Sequence, residues 1–210
     1  MPHDRRRGPE LAAGGMAAVT QRSSRPTFES KSGSPSNKDR SILYLGLGSN
    51  LGCRGANLGQ AIEGISNISR GDTQAGVRLV RASSVYETEP WGLAGQRRFL
   101  NQVLESETAI SPLDLLNELQ TLEKELGRED GIRYGPRVID IDILLYGGAV
   151  VDEPELQIPH PRLHQRAFVL VPLSELAPDL VHPALGISIR DLCRQVEGKT
   201  GVKPWVRSKG

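Results

Sequence analysis

The sequence predicts an α+β domain, an antiparallel sheet with helices packed on it. Three observations carry this. The elements run in the order βαββαββαα, which is not the strict strand–helix alternation of a doubly wound sheet. Gly147-Gly148 reads as a hairpin turn, and hairpins join antiparallel neighbours. The 210 residues suffice for one domain with a real core.

Ile42-Leu43-Tyr44-Leu45 is an apolar strand that runs into Gly46-Leu47-Gly48-Ser49-Asn50-Leu51-Gly52. Leu58, Ile62, Ile65 and Ile68 then fall at helical spacing. A strand is expected from about Val77 to Tyr86, a loop at Glu89-Pro90-Trp91-Gly92, and another strand from Phe99 to about Thr108. Ser111-Pro112 opens a helix: serine caps, proline fits the first turn and Asp114 can complete a capping box. Its buried stripe is Leu115, Leu116, Leu119, Leu122 and Leu126, and Gly127 ends it. Residues 138–145 form a strand, followed by the glycine turn into Ala149-Val150-Val151. Phe168 to Leu176 is a helix stopped by Pro178, and Ser188 caps a last helix with Ile189, Leu192, Cys193 and Val196 on its apolar face.

Residues 1–40 are rich in Gly, Pro, Ser and Arg and poor in large apolar residues, so they cannot bury enough surface to offset their ordering entropy. A disordered tail is expected there, a folded domain over 41–198 and a C-terminal tail over 199–210. Asp4, Glu10, Glu29 and Asp39 are out of character for a transit peptide. The net charge of +1 does not point to a nucleic-acid binder. Cys53 and Cys193 have no partner motif and suit a reducing compartment. No apolar run is long enough to span a bilayer. The expectation is a cytoplasmic protein with no membrane and no nucleic-acid partner.

The richest segment is Gly135-Pro136-Arg137-Val138-Ile139-Asp140-Ile141-Asp142-Ile143. Residues two apart on a strand share a face, so Asp140 and Asp142 point one way and Ile139, Ile141 and Ile143 the other. Two adjacent like charges repel, and burying a carboxylate is costly unless it is paired or on a metal. A divalent cation removes both objections, and Mg²⁺ takes a couple of carboxylates together with substrate phosphates. Arg128, Arg133 and Arg137 lie on the approach to the strand, and the guanidinium fork suits phosphate oxygens. The set points to phosphoryl or nucleotidyl transfer; the alternative is an exposed, solvated pair on an edge strand.

The first glycine cluster spaces as G-x-G-x-x-x-G, one residue too long for a dinucleotide fingerprint, and no G-x-x-x-x-G-K-[ST] occurs. Its glycines read first as a tight strand-to-helix connection. Gln120 and Glu123 are helical neighbours that are either a solvated face or the edge of a nucleotide site. His160 lies in Ile158-Pro159-His160-Pro161, fixed by two prolines. Phe99 and Asn101 share a strand face, and a flat heterocycle is well held by stacked rings and an amide partner.

Gly48-Ser49-Asn50-Leu51-Gly52, Tyr86 to Gly92, Phe99-Leu100-Asn101, Gly127-Arg128, Arg133 to Asp142, Ile158 to Pro161 and Arg166 to Leu173 occur in that order. Together they closely resemble the 6-hydroxymethyl-7,8-dihydropterin pyrophosphokinases of the folate pathway, over about residues 42–196. The resemblance implies a ferredoxin-like fold and transfer of pyrophosphate from ATP to the pterin hydroxymethyl group, releasing AMP. It implies that Asp140 and Asp142 hold two Mg²⁺ ions. Phe99 and Phe168 would sandwich the pterin, Asn101 would bond its edge, and the backbone of Thr88 and Trp91 would complete the pocket. Gln120, Glu123, Arg133, Tyr134, Ile143, His160 and Arg166 would lie on the ATP side, and Arg128 and Arg137 would act during transfer. Association with neighbouring folate-pathway enzymes is a further expectation. The segment Glu129-Asp130-Gly131-Ile132 is shorter and more acidic than in better-known members. The competing readings are a non-catalytic ferredoxin-like module binding RNA or a protein, and a polymerase-like nucleotidyltransferase.

Overall fold

The computed structural model describes residues 40–68, 76–91, 95–128 and 135–206. Apart from Arg40, the tail expected over 1–40 lies outside them, as do Arg133 and Tyr134. The elements are β1 (Ser41–Ser49), α1 (Arg54–Asn67), β2 (Arg78–Ala82), β3 (Tyr86–Thr88), β4 (Phe99–Thr108), α2 (Pro112–Glu125), β5 (Asp140–Tyr146), β6 (Val151–Asp152), β7 (Gln157–Ile158), α3 (Ala167–Leu176), α4 (Ile189–Gln195) and β8 (Lys203–Pro204).

A six-stranded sheet runs β5-β1-β4-β3-β8, with β2 also on β4, and every pairing is antiparallel. Because β1 is an interior strand between β5 and β4, it is apolar on both faces. Leu43, Leu45 and Leu47 join Leu58, Ala61 and Ile65 of α1 and Leu115, Leu119 and Leu122 of α2 in one core. Tyr44 joins Leu170 and Leu173 of α3 and Ile189 and Leu192 of α4 in the other. Burying each such leucine or isoleucine is worth about 1.5–3 kcal/mol. The helix pairs therefore sit on opposite faces of the sheet.

The capping chemistry of α2 is as expected. Ser111 Oγ accepts from Asp114 N at 3.3 Å and donates to Asp114 Oδ2 at 2.8 Å. At the other end Gly127 has φ +90°, with Gly127 N donating to Lys124 O (3.0 Å) and Arg128 N to Glu123 O (2.9 Å). This is a Schellman ending, and it folds Arg128 back beside Glu123.

Three expectations are corrected. The strand foreseen over 77–86 is two strands, because Ser83 takes over the ladder: its N–H donates to Val103 O at 2.9 Å and its Oγ accepts from Val103 N at 3.0 Å. The glycine turn does not fold β6 back on β5; β6 pairs with β7, and the edge of β5 is met instead by His160 N on Leu144 O at 2.9 Å. Residues 203–206 are not a tail. β8 pairs with β3, Trp205 N donates to Val85 O at 2.8 Å, and Trp205 packs against the α1–α2 core. A two-residue edge strand containing proline has no periodicity to read.

Candidate active site

The face of β1 that carries Tyr44 also carries Gly46 and Gly48. Neighbouring strands put Asp142 opposite Gly46 and Asp140 and Asn101 opposite Gly48. At this end of the sheet a cavity of about 530 Å³ opens, floored by the two glycines. A Cβ on Gly48 would lie 3.4 Å from Asn101 Oδ1 and 3.7 Å from Phe99 Cδ1. The sequence predicts a strand-to-helix connection for these glycines; they lie instead within β1 and keep the floor low, and only Gly52, at φ +59°, serves the turn. Their spacing of two was the available signal. Gly48→Val should fold, yet bind a cavity ligand about tenfold or more weakly, since overpacking costs ~1–3 kcal/mol. Unchanged affinity for a flat heterocyclic ligand in calorimetry would contradict that role.

One wall of the cavity is aromatic. Thr88, Trp91, Phe99, Asn101 and Phe168 all line it. Buried Asn101 donates from Nδ2 to Thr88 Oγ1 at 2.8 Å, which fixes its amide and leaves further donor and acceptor capacity for a flat ligand. Trp91 is 42% exposed at the mouth. The guanidinium carbons of Arg162 and Arg166 lie 5.5 and 5.4 Å from its ring centroid, and that of Arg166 lies 5.5 Å from the Phe168 centroid. Arg162 lines the cavity without having been singled out in the sequence.

The other wall is charged. Asp140 and Asp142 face the cavity while Ile139, Ile141 and Ile143 enter the α1–α2 core, as the alternation predicts. Asp140 Oδ1 pairs with Arg137 Nη1 and lies 3.1 Å from Arg128 Nη1. Asp142 Oδ2 accepts from Arg166 Nη1 at 3.2 Å and lies 3.9 Å from His160 Nε2. Burial, and then the charge of Asp142, push the Asp140 carboxyl up, against the pull of Arg137 and Arg128. Arg166 Nε is buried with no hydrogen-bond partner among the described residues.

His160 Nδ1 accepts from Arg162 N at 3.1 Å. Burial first, and the Arg166 charge second, push its pKa down from 6.5 to about 4. It is therefore neutral at physiological pH. The folded value lies below the unfolded one, so its contribution to stability is full above pH 6.5 and is lost as pH falls toward 4. His160→Gln should flatten the decline of melting temperature across that window, and an unchanged slope would contradict the burial argument.

Gln120, Glu123 and Arg128 line a smaller polar cavity of about 250 Å³ with Lys124. Buried Glu123 pairs with Arg128, and its Oε1 accepts from Ile141 N at 2.7 Å. Burial pushes its pKa up to about 7 despite Arg128. Arg128 links this cavity to the first through Asp140. Ile143, expected on the ATP side, is only 5% exposed, with its side chain in the core.

Among the described residues no three His, Cys, Asp or Glu converge as in an all-protein metal site. Two carboxylates on one strand face suit a hard cation completed by phosphate oxygens. An aromatic-and-amide slot therefore adjoins an acidic pair ringed by arginines.

Comparison with known proteins gives the family. Residues 44–178 match the family model for 7,8-dihydro-6-hydroxymethylpterin-pyrophosphokinase. A 2-amino-4-hydroxy-6-hydroxymethyldihydropteridine pyrophosphokinase of Methylorubrum extorquens is 46% identical over 138 residues, 66% of this chain and 84% of the relative. The enzyme of the same name from Bacillus subtilis is 37% identical over 169 residues, 80% of this chain and 98% of the relative. The folic acid synthesis protein fol1 of Pneumocystis carinii is 43% identical over 151 residues, 72% of this chain but only 20% of that protein. Among solved structures, a Plasmodium falciparum HPPK-DHPS with pterin and p-hydroxybenzoate superposes at a TM-score of 0.61 with 15% identity, over 79% of this chain and 47% of that one, which speaks to the fold alone. With the family model matching more than half of it and relatives at 37–46% identity, the chain belongs to the 7,8-dihydro-6-hydroxymethylpterin-pyrophosphokinase family, whose reaction is pyrophosphoryl transfer to a hydroxymethyldihydropterin in folate biosynthesis.

Proposed function

We propose that this chain transfers the β,γ-pyrophosphate of ATP to the hydroxymethyl group of 6-hydroxymethyl-7,8-dihydropterin with Mg²⁺ as cofactor. The observation that carries the reading is the shared cavity, with Phe99, Phe168 and Asn101 on one wall and Asp140 and Asp142 on the other. The pterin lies between the phenylalanine rings, with Asn101 and the backbone of Thr88 and Trp91 on its edge. Its hydroxyl oxygen bonds to the β-phosphorus and gives up its proton to solvent, the bond from that phosphorus to the α–β bridging oxygen breaks, and AMP leaves with that oxygen and its electron pair.

Asp140 and Asp142 hold two Mg²⁺ ions, which supply charge neutralisation on the triphosphate. Arg128 and Arg137, both already against Asp140, meet charge that develops on the transferring phosphates. Arg166 and neutral His160 bind the nucleotide beside Asp142, and Gln120, Glu123, Arg133, Tyr134 and the backbone of Ile143 complete its site. No side chain is assigned as a base, so positioning and electrostatics carry the step. Association with a neighbouring folate-pathway enzyme is supported by the match to only 20% of the longer folic acid synthesis protein fol1, and the cytoplasm is the proposed compartment. Among the described residues no helix is long and apolar enough to cross a membrane.

Metal titration tests the cofactor. AMP formation should stop in EDTA and return on adding excess Mg²⁺; turnover unaffected by the chelator would overturn the two-metal assignment.

A further inference from the structure

Asn50 stands at the end of β1 and is 0% exposed. A buried amide this deep needs partners, and the identity of those partners is informative. Its Oδ1 accepts from Arg137 N at 2.7 Å. Its Nδ2 donates to Gln96 Oε1 at 3.1 Å and to Arg97 O at 3.3 Å. The backbone N–H groups of Asn50 and Leu51 both donate to Arg137 O, at 3.1 and 3.2 Å. One residue thus grips two segments far apart in sequence.

Those segments lead to opposite walls of the cavity. Gln96-Arg97 runs within two residues into Phe99, on the aromatic wall. Arg137 contacts Asp140, three residues on, on the charged wall. Asn57 of α1 secures the same corner, donating from Nδ2 to Leu51 O at 2.8 Å and to Val138 O at 3.1 Å. A turn by itself calls for neither a buried amide nor bonds to two remote segments.

We propose that Asn50 is a positioning residue for the transfer step. It fixes the separation between the wall that holds the pterin and the wall that holds the phosphates. This rests on the pyrophosphokinase reading above. Each substrate has its own wall, so each binds alone nearly as well without the link. The in-line approach of the hydroxyl to the β-phosphorus depends on both walls together, and misplacement by about 1 Å costs on the order of 100-fold in rate.

The test compares wild type with Asn50→Ala, which removes the side-chain bonds to both segments and leaves only the backbone bonds to Arg137 O, and Asn50→Asp, which keeps the acceptor for Arg137 N–H and loses the donor to the 96–97 segment. Thermal unfolding, equilibrium binding of the pterin and of α,β-methylene-ATP with Mg²⁺, and single-turnover AMP formation are measured on each. Binding of each ligand should stay within about threefold, while the single-turnover rate falls about 100-fold in Asn50→Ala and about tenfold in Asn50→Asp. A purely structural role would lower melting temperature and leave the rate per folded molecule within about twofold. That result, or a rate loss wholly accounted for by weaker binding of one substrate, would overturn the proposal. Should Asn50→Ala fail to fold, Asn50→Asp and Gln96→Ala decide it by the same criterion, because each spares the Arg137 bond. Absence of pterin-dependent AMP in the wild type would instead refute the activity, so the two failures are distinguishable.

Discussion

Asp140→Ala and Asp142→Ala are each expected to abolish turnover while the fold survives. Both carboxylates face the cavity, and neither belongs to either core. Their loss removes no apolar contact, so melting should shift by only about a few degrees. The chemistry suffers far more. On the proposed assignment each substitution deletes a ligand for the cation that offsets triphosphate charge, and several kcal/mol of transition-state stabilisation goes with it, a loss of roughly 100-fold or more. Losing Asp140 also strips Arg128 and Arg137 of the carboxylate that aims them. Near-normal rates in either variant at ordinary Mg²⁺ would contradict the assignment.

The second large effect separates the two walls. Phe168→Ala removes one ring of the proposed stack, forfeiting about 0.5–1.5 kcal/mol of stacking and about 1.5–3 kcal/mol of burial. Pterin affinity should fall roughly thirtyfold to two-thousandfold. A smaller loss for ATP is expected as well, because the same ring supports the Arg166 guanidinium at 5.5 Å. Arg137→Ala should show the opposite pattern. Its guanidinium contacts Asp140, while its backbone, held by Asn50, is untouched by the substitution. Pterin binding should persist and turnover fall. Calorimetry with each ligand and steady-state rates check both, and Arg137→Ala losing pterin affinity at an unchanged turnover number would refute the division.

Much of this was legible in the sequence because strong local chemistry coincided with tertiary need. Ser111, Pro112 and Gly127 bound α2, whose stripe Leu115, Leu119 and Leu122 is buried as its spacing requires. The alternation from Ile139 to Ile143 placed two carboxylates on the open face, since a strand offers only two sides. Three things were not legible. Ser83 replaces part of a ladder with its hydroxyl, which propensity cannot foresee. β8 and Trp205 join through the edge of β3, a long-range pairing with no local signature. Asn50 looks like any turn asparagine until Arg137 and Arg97 are brought to it. The RNA-binding reading of such a sheet gives way to family membership and to the acidic pair on that face.

The most direct test is phosphorus-resolved product analysis with ATP, Mg²⁺ and 6-hydroxymethyl-7,8-dihydropterin. The account predicts one AMP for each pterin diphosphate formed, with the β- and γ-phosphorus of ATP both on the pterin and no ATP consumed when the pterin is left out. Release of ADP or free pyrophosphate, or ATP cleavage independent of the pterin, would contradict it.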